Sequence, residues 1–170
     1  MIREIVKYPD PILQKPTEPV TEFDEELRSL VDDMFESMYA AKGVGLAATQ
    51  IGVGKKIAVI DTTNGEDPEA KLVIINPKII HVEGRQEGEE GCLSIPGFRE
   101  QVRRGKRVTV RATNVKGEVF EHTGEDLLAR ALLHETDHLY GKLYITHIST
   151  LKRDLMKRKI KKMVRAGEWT

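Results

Sequence analysis

Residues 125–140 have the apolar spacing of an amphipathic helix, and inside that spacing stands His134-Glu135-Thr136-Asp137-His138. A period of 3.6 residues puts both histidines on one face a turn apart, with Glu135 able to reach the same point in space. Leu128 and Leu132 lie on the core stripe, and positions 127 and 131 continue the row of the histidines, so the pair is expected to turn inward, away from bulk water. Two imidazoles and an adjacent carboxylate make a metal site with its own base, and the fold has to be built around it. With 5 His and 18 Glu in 170 residues, a shuffled chain would hold two such histidines flanking a Glu about 0.02 times, so accident is a poor explanation. The competing expectation is a buried structural helix whose histidines hydrogen-bond in the core.

The flanks of this helix are marked. Thr123-Gly124-Glu125-Asp126 resembles a capping box with Asp in the usual place of Glu, and Gly141 ends the helix. Upstream, four prolines between Pro9 and Pro19 predict an extended arm with no helix. A first helix, capped by Thr21 or Asp24, carries Phe23, Leu27, Leu30, Val31, Met34 and Met38 on one stripe and stops at Gly43. Strand character follows at 56–61, 71–75, 79–85, 107–113 and 118–122, with an exposed turn at 64–68. No helical pattern separates these runs, so an antiparallel meander is expected and a parallel βαβ sheet is not. From Leu151 onward Leu155, Met156, Ile160, Met163 and Val164 form a stripe opposite a face rich in Lys and Arg. The expected fold is α+β: one domain over residues 1–170, antiparallel strands around the central helix, an N-terminal helix, and an amphipathic basic C-terminal helix in 149–170.

Composition excludes several functions. A chain 39% hydrophobic and 32% charged belongs to a water-soluble class, with no apolar run long enough to span a bilayer. The start, Met1 to Lys7, lacks the apolar core of a secretory signal, so a cytoplasmic location is expected. Cys92 is the only cysteine, which rules out an internal disulfide and leaves a core residue, a reactive thiol or a metal ligand. The net charge of zero conceals eight basic against two acidic residues from Ser149 to Thr170. That tail suits polyanions, although a solvated helix face explains it equally well.

A catalytic divalent metal takes three protein ligands and leaves a position open, so the pentad is one ligand short. The metzincin pattern would put a third His where Tyr144 stands. His81, His122 and His147 follow no spacing rule. Cys92 lies in Glu90-Gly91-Cys92-Leu93-Ser94, where Gly91 and Pro96-Gly97 suggest a loop or strand end. A third segment, Gly43-Val44-Gly45-Leu46-Ala47-Ala48-Thr49-Gln50, has no P-loop lysine and offers Gln50 as its polar group.

Together and in this order, these three segments resemble the motifs of the peptide deformylases, with further similarity at residues 8–13 and 141–143. The resemblance implies a hydrolase that removes the formyl group from N-formylmethionyl nascent polypeptides and releases formate. It implies that Cys92, His134 and His138 bind the metal, that Glu135 is the acid and base, and that Gln50 with the Leu93 N–H stabilises the oxyanion. Ferrous iron is the implied ion, with zinc, nickel or cobalt able to replace it. Substrate backbone would dock as an added strand near Val44, Gly45, Leu46 and Arg99, and methionine would enter a pocket beside the metal helix. Arg130 stands where the family generally places an apolar residue of that pocket, and Asp137 is expected to be an ion-pair partner of Arg104. Two rival expectations are another metallopeptidase using the same pentad and a non-enzymatic ribosome- or RNA-binding module with a structural metal. Because the family's substrates emerge from ribosomes, the basic tail predicts ribosome contact that weakens as salt rises. Neither membrane nor DNA is an expected partner.

Overall fold

The computed structural model describes residues 1–169. Its helices are α1 (Glu25–Ala40), α2 (Asp126–Leu139) and α3 (Thr150–Arg165). Its strands are β1 (Gly45–Ala47), β2 (Ile57–Ile60), β3 (Leu72–Glu83), β4 (Gln86–Cys92), β5 (Ile95–Arg104), β6 (Arg107–Thr113) and β7 (Val119–Glu125). Five strands form one antiparallel sheet in the order β1-β2-β3-β6-β7, and β4 with β5 forms a separate hairpin. Helix α2 lies between the two. Ala129, Leu132 and Leu139 pack on Ala58, Ile60, Ile74, Val108 and Val110 of the sheet. Burying each Leu, Ile or Val of that layer is worth roughly 1.5–3 kcal/mol, which is ample to hold the helix while its other face carries polar groups.

Helix α1 closes the far side of β1 and β2 with Leu27, Leu30, Val31, Met34 and Met38, as its stripe predicts. Asp24 is its cap, accepting from the Leu27 N–H at 3.0 Å. A third cluster joins the N-terminal arm, the hairpin and α3 through Tyr8, Leu13, Ile95, Val102, Tyr144, Met156 and Ile160. The α3 stripe is only half used: Met156 and Ile160 are buried, while Leu151, Leu155 and Val164 are exposed.

Several local expectations change. Thr123 and Gly124 do not cap α2; they belong to β7, paired with Thr109 and Val108, and no side chain caps the helix. The chain turns instead at Asp126, whose φ is 54°. Gly43 is not the left-handed residue after α1, because Lys42 takes that role with φ 59°. Gly43 gives room to its neighbour: a Cβ there would lie 2.7 Å from Leu93 Cδ1, so that side chain would have to shift. The arm does hold one short 3-10 turn, Pro11–Gln14, which proline tolerates at its first position, where no N–H is needed. The runs at 71–75 and 79–85 are one strand, β3, which absorbs Pro77 through a register irregularity between Ile75 and Lys78. Strand β1 and the β4–β5 hairpin carry no signal in the expected strands and appear only in the structure.

Candidate metal centre

The hairpin and α2 meet in a ladder of three rungs. On β4, Gly88, Glu90 and Cys92 face inward at every second residue; on α2, Arg130, His134 and His138 face them at every fourth. Two residues of strand advance about 6.6–6.8 Å and four residues of helix about 6 Å, so the two sets stay in step over three pairs. Cys92 Sγ lies 3.3 Å from His138 Nε2, Glu90 Oε2 lies 2.6 Å from His134 Nδ1, and a Cβ on Gly88 would lie 3.2 Å from Arg130 Nη2.

The two nearest rungs gather a donor set. One ligand atom each from Cys92, His134 and His138 falls within 4.8 Å of the others, and His134 Nε2 stands 3.2 Å from His138 Nε2. Tetrahedral ligands at usual zinc bond lengths stand about 3.4 Å apart for two nitrogens and about 3.6 Å for sulfur and nitrogen. The His134–His138 and Cys92–His138 spacings fall within about 0.3 Å of that frame, and a thiolate with two imidazoles suits a divalent transition metal. Because Glu90 is a carboxylate, His134 Nδ1 carries the hydrogen of their bond, which leaves Nε2 as the ring atom that faces Cys92 and His138. Tyr144, where the metzincin pattern needs a histidine, stacks on the His134 ring at 6.1 Å.

Glu135 sits beside the donors, buried, with Oε1 lacking any protein partner. Burial pushes its carboxyl up to about 7, against the lowering influence of His134. Its place depends on Gly45 of β1: a Cβ there would lie 2.4 Å from Glu135 Oε2 and 3.0 Å from Cγ. Burial opposes charge on both imidazoles. At His134 the neighbouring Glu135, Cys92 and Glu90 reverse this and raise its pKa, whereas His138 is lowered further by His134.

Gln50 follows β1 in a 3-10 turn, Ala48–Ile51. Its Oε1 accepts from the Ala47 N–H at 3.0 Å, so its amide N–H₂ points to Cys92 Sγ at 3.5 Å and Ser94 Oγ at 3.2 Å. A cavity of about 560 Å³ opens onto these groups, lined among others by Val44, Gly45, Gln50, Leu93, Arg99, Leu127 and Arg130. Leu46 is the exception among the expected docking residues, since its side chain is fully buried in the α1 core. Only its backbone, on edge strand β1, is placed to meet a ligand.

Glu90 is the group that sequence reasoning quoted without a role. Burial opposes its charge, yet Arg104 and His134 outweigh that and hold its carboxyl far below the usual range. Arg104 also reaches Asp137 at 2.8 Å, as expected, and Asp137 in turn meets His147 at 2.9 Å. The two-residue spacing of Glu90 and Cys92 would have revealed the role had β4 been recognised as a strand. His81 and His122 lie on β3 and β7, away from the centre.

The chain is similar to known proteins over nearly its whole length. The family model described as polypeptide deformylase matches residues 2–154. A peptide deformylase from Acidobacterium capsulatum is 66% identical over 169 residues, covering 99% of each chain. The crystal structure of a peptide deformylase from Legionella pneumophila has 46% identity and a TM-score of 0.91, covering 100% of this chain and 99% of that one. One from Ehrlichia chaffeensis in complex with actinonin has 38% identity and a TM-score of 0.86, covering 95% and 96%. A family match over nearly the whole length, carried on the same α+β fold, leads to one conclusion: this chain belongs to the polypeptide deformylase family.

Proposed function

We propose that Cys92, His134 and His138 hold the divalent ion of this deformylase, that Glu135 is its acid and base, and that Gln50 and the Leu93 N–H stabilise the oxyanion. The family's reaction hydrolyses the formyl amide of nascent formylated peptides, giving formate and a free amine. The observation that carries the residue assignment is the spacing of the three ligand atoms beside a buried carboxylate with an unpartnered oxygen. A bound divalent ion supplies Lewis acidity, which makes water a nucleophile near neutral pH and polarises the formyl carbonyl.

The protein's own groups do the rest. Glu135 Oε1, free of other bonds, accepts the proton of the attacking water. Charge gathering on the formyl oxygen is met by the Gln50 amide, which Ala47 holds in orientation, and by the Leu93 N–H. Donors of this kind are worth about 3–4 kcal/mol each where measured. Glu135 then returns its proton to the departing amine. The formylmethionyl backbone adds to the open edge of β1 through Val44, Gly45 and Leu46, near Arg99, and its side chain enters the cavity between α2 and the hairpin.

Thiolate with two imidazoles suits ferrous iron, zinc, nickel and cobalt, and ferrous iron is the ion we assign in the cell. The lone Cys92 and nascent substrates favour a cytoplasmic location, and no described helix is long and apolar enough to cross a membrane. The basic face of α3, beside exposed Leu151 and Leu155, favours contact with the ribosome. Truncation at Ser149 should then abolish salt-sensitive co-sedimentation with ribosomes, and equal co-sedimentation would remove the idea. Incubation of the metal-loaded protein with a formyl-Met-Ala-Ser peptide tests the main assignment: formate and intact Met-Ala-Ser are expected, and internal cleavage would point to a peptidase.

A further inference from the structure

The third rung, Gly88 and Arg130, takes no part in the chemistry described so far. Arg130 is only 7% exposed, and a guanidinium buried beside a metal centre is costly unless its bonds do something specific. Its Nη1 donates to Glu90 Oε1 at 2.9 Å and to the Val102 carbonyl of β5 at 3.0 Å. Arg104 donates to the same carboxylate twice, Nε to Oε1 at 2.9 Å and Nη2 to Oε2 at 2.6 Å. With His134 Nδ1 on Oε2, Glu90 accepts four bonds, which is about the capacity of a carboxylate.

The two arginines are not equivalent. Arg104 grips both oxygens from β5, and its Nη1 is tied to Asp137 of α2 at 2.8 Å. Arg130 comes from α2, the helix that also carries His134, and bonds Oε1 alone. We propose that Arg130 is a positioning residue for the metal centre: it pins Oε1 so that Oε2 alone faces His134, fixing the imidazole with Nε2 toward Cys92 and His138. Gly88 is its complement on β4. With a Cβ there 3.2 Å from Nη2, a branched side chain at this position would press on the guanidinium. This inference rests on His134 being a metal ligand.

The test is cobalt titration of the full-length, metal-stripped protein, read by visible absorption and a competing chelator, alongside ¹⁵N spectra of the histidine rings in the zinc-loaded protein. Arg130→Leu is expected to weaken cobalt binding by about tenfold or more, the scale of lost support behind a metal ligand. It should also shift the Nδ1–H signal of His134, whose Glu90 partner is no longer pinned, while Arg130→Lys, which can still donate to Oε1, keeps most of the affinity. Gly88→Val, which displaces the guanidinium without removing its charge, should show the same loss and covers the case in which Arg130→Leu fails to fold. Cobalt affinity and ring spectra equal to wild type in either folded variant would overturn the inference alone. Failure of the wild-type protein to take up one cobalt per chain would overturn the metal assignment and this inference with it.

Discussion

Gly45→Ala separates the fold from the chemistry. The new methyl would stand 2.4 Å from Glu135 Oε2, whereas carbon and oxygen in contact stand about 3.3 Å apart, so one side must yield by about 1 Å. Strand β1 is held by its pairing of Gly45 with Ile60, and Leu46 and Ala47 are fully buried, so the backbone has little room to retreat. The carboxylate is the softer party. Overpacking of this kind costs about 1–3 kcal/mol, which the fold survives, but a 1 Å misplacement of a reacting group costs about 100-fold in rate. The expected outcome is a folded protein with full metal content and a kcat lower by about 100-fold, measured by formate release and elemental analysis. A kcat within threefold of wild type would refute the claim that Gly45 sets the position of Glu135.

Three further substitutions probe separate parts of the account. Glu135→Ala should retain bound metal and lose about 100- to 10,000-fold in turnover, because it removes the proton acceptor without touching a ligand; near-normal turnover would exclude Glu135 as the base. Cys92→Ser should weaken or change metal uptake, and unaltered metal content and rate would remove Cys92 from the ligand set. Asp61 is fully buried, and although burial opposes its charge, donors from Thr63, Tyr39 and Gly65 outweigh it and hold its pKa below the ordinary 3.8. A depressed carboxyl adds stability that is fully present above the unfolded pKa and lost as pH falls from there through the lower folded pKa, so the melting-temperature gap between wild type and Asp61→Asn should shrink below pH ~4. A gap of constant size down to pH ~2.5 would contradict this.

How far the sequence revealed the fold depended on whether side chains on an element served packing or chemistry. Helices α1 and α3 and strand β6 have alternations set by the core, and their spacing predicted them. Strand β4 reads Gln-Glu-Gly-Glu-Glu-Gly-Cys, without one aliphatic residue, because its inward positions hold the arginine's space, the carboxylate and the thiol. Strand propensity has nothing to act on there. The candidate donor set was nevertheless legible, since the pentad lies within one helix and Cys92 within a recognisable motif. What could not be read was the rung between them: Glu90 joins His134 across 44 residues, and only the register of hairpin against helix shows it. The apparent capping box failed for a related reason, as tertiary pairing of Thr123 with Thr109 overrode a local signal.

The central claim is that α2 and β4 jointly build one metal centre. X-ray absorption at the metal edge of the zinc- or iron-loaded protein tests it most directly. One sulfur at about 2.3 Å and two imidazole nitrogens at about 2.0–2.1 Å are the predicted protein ligands, with the sulfur lost in Cys92→Ser. A first shell of nitrogen and oxygen alone in the wild-type protein would contradict it.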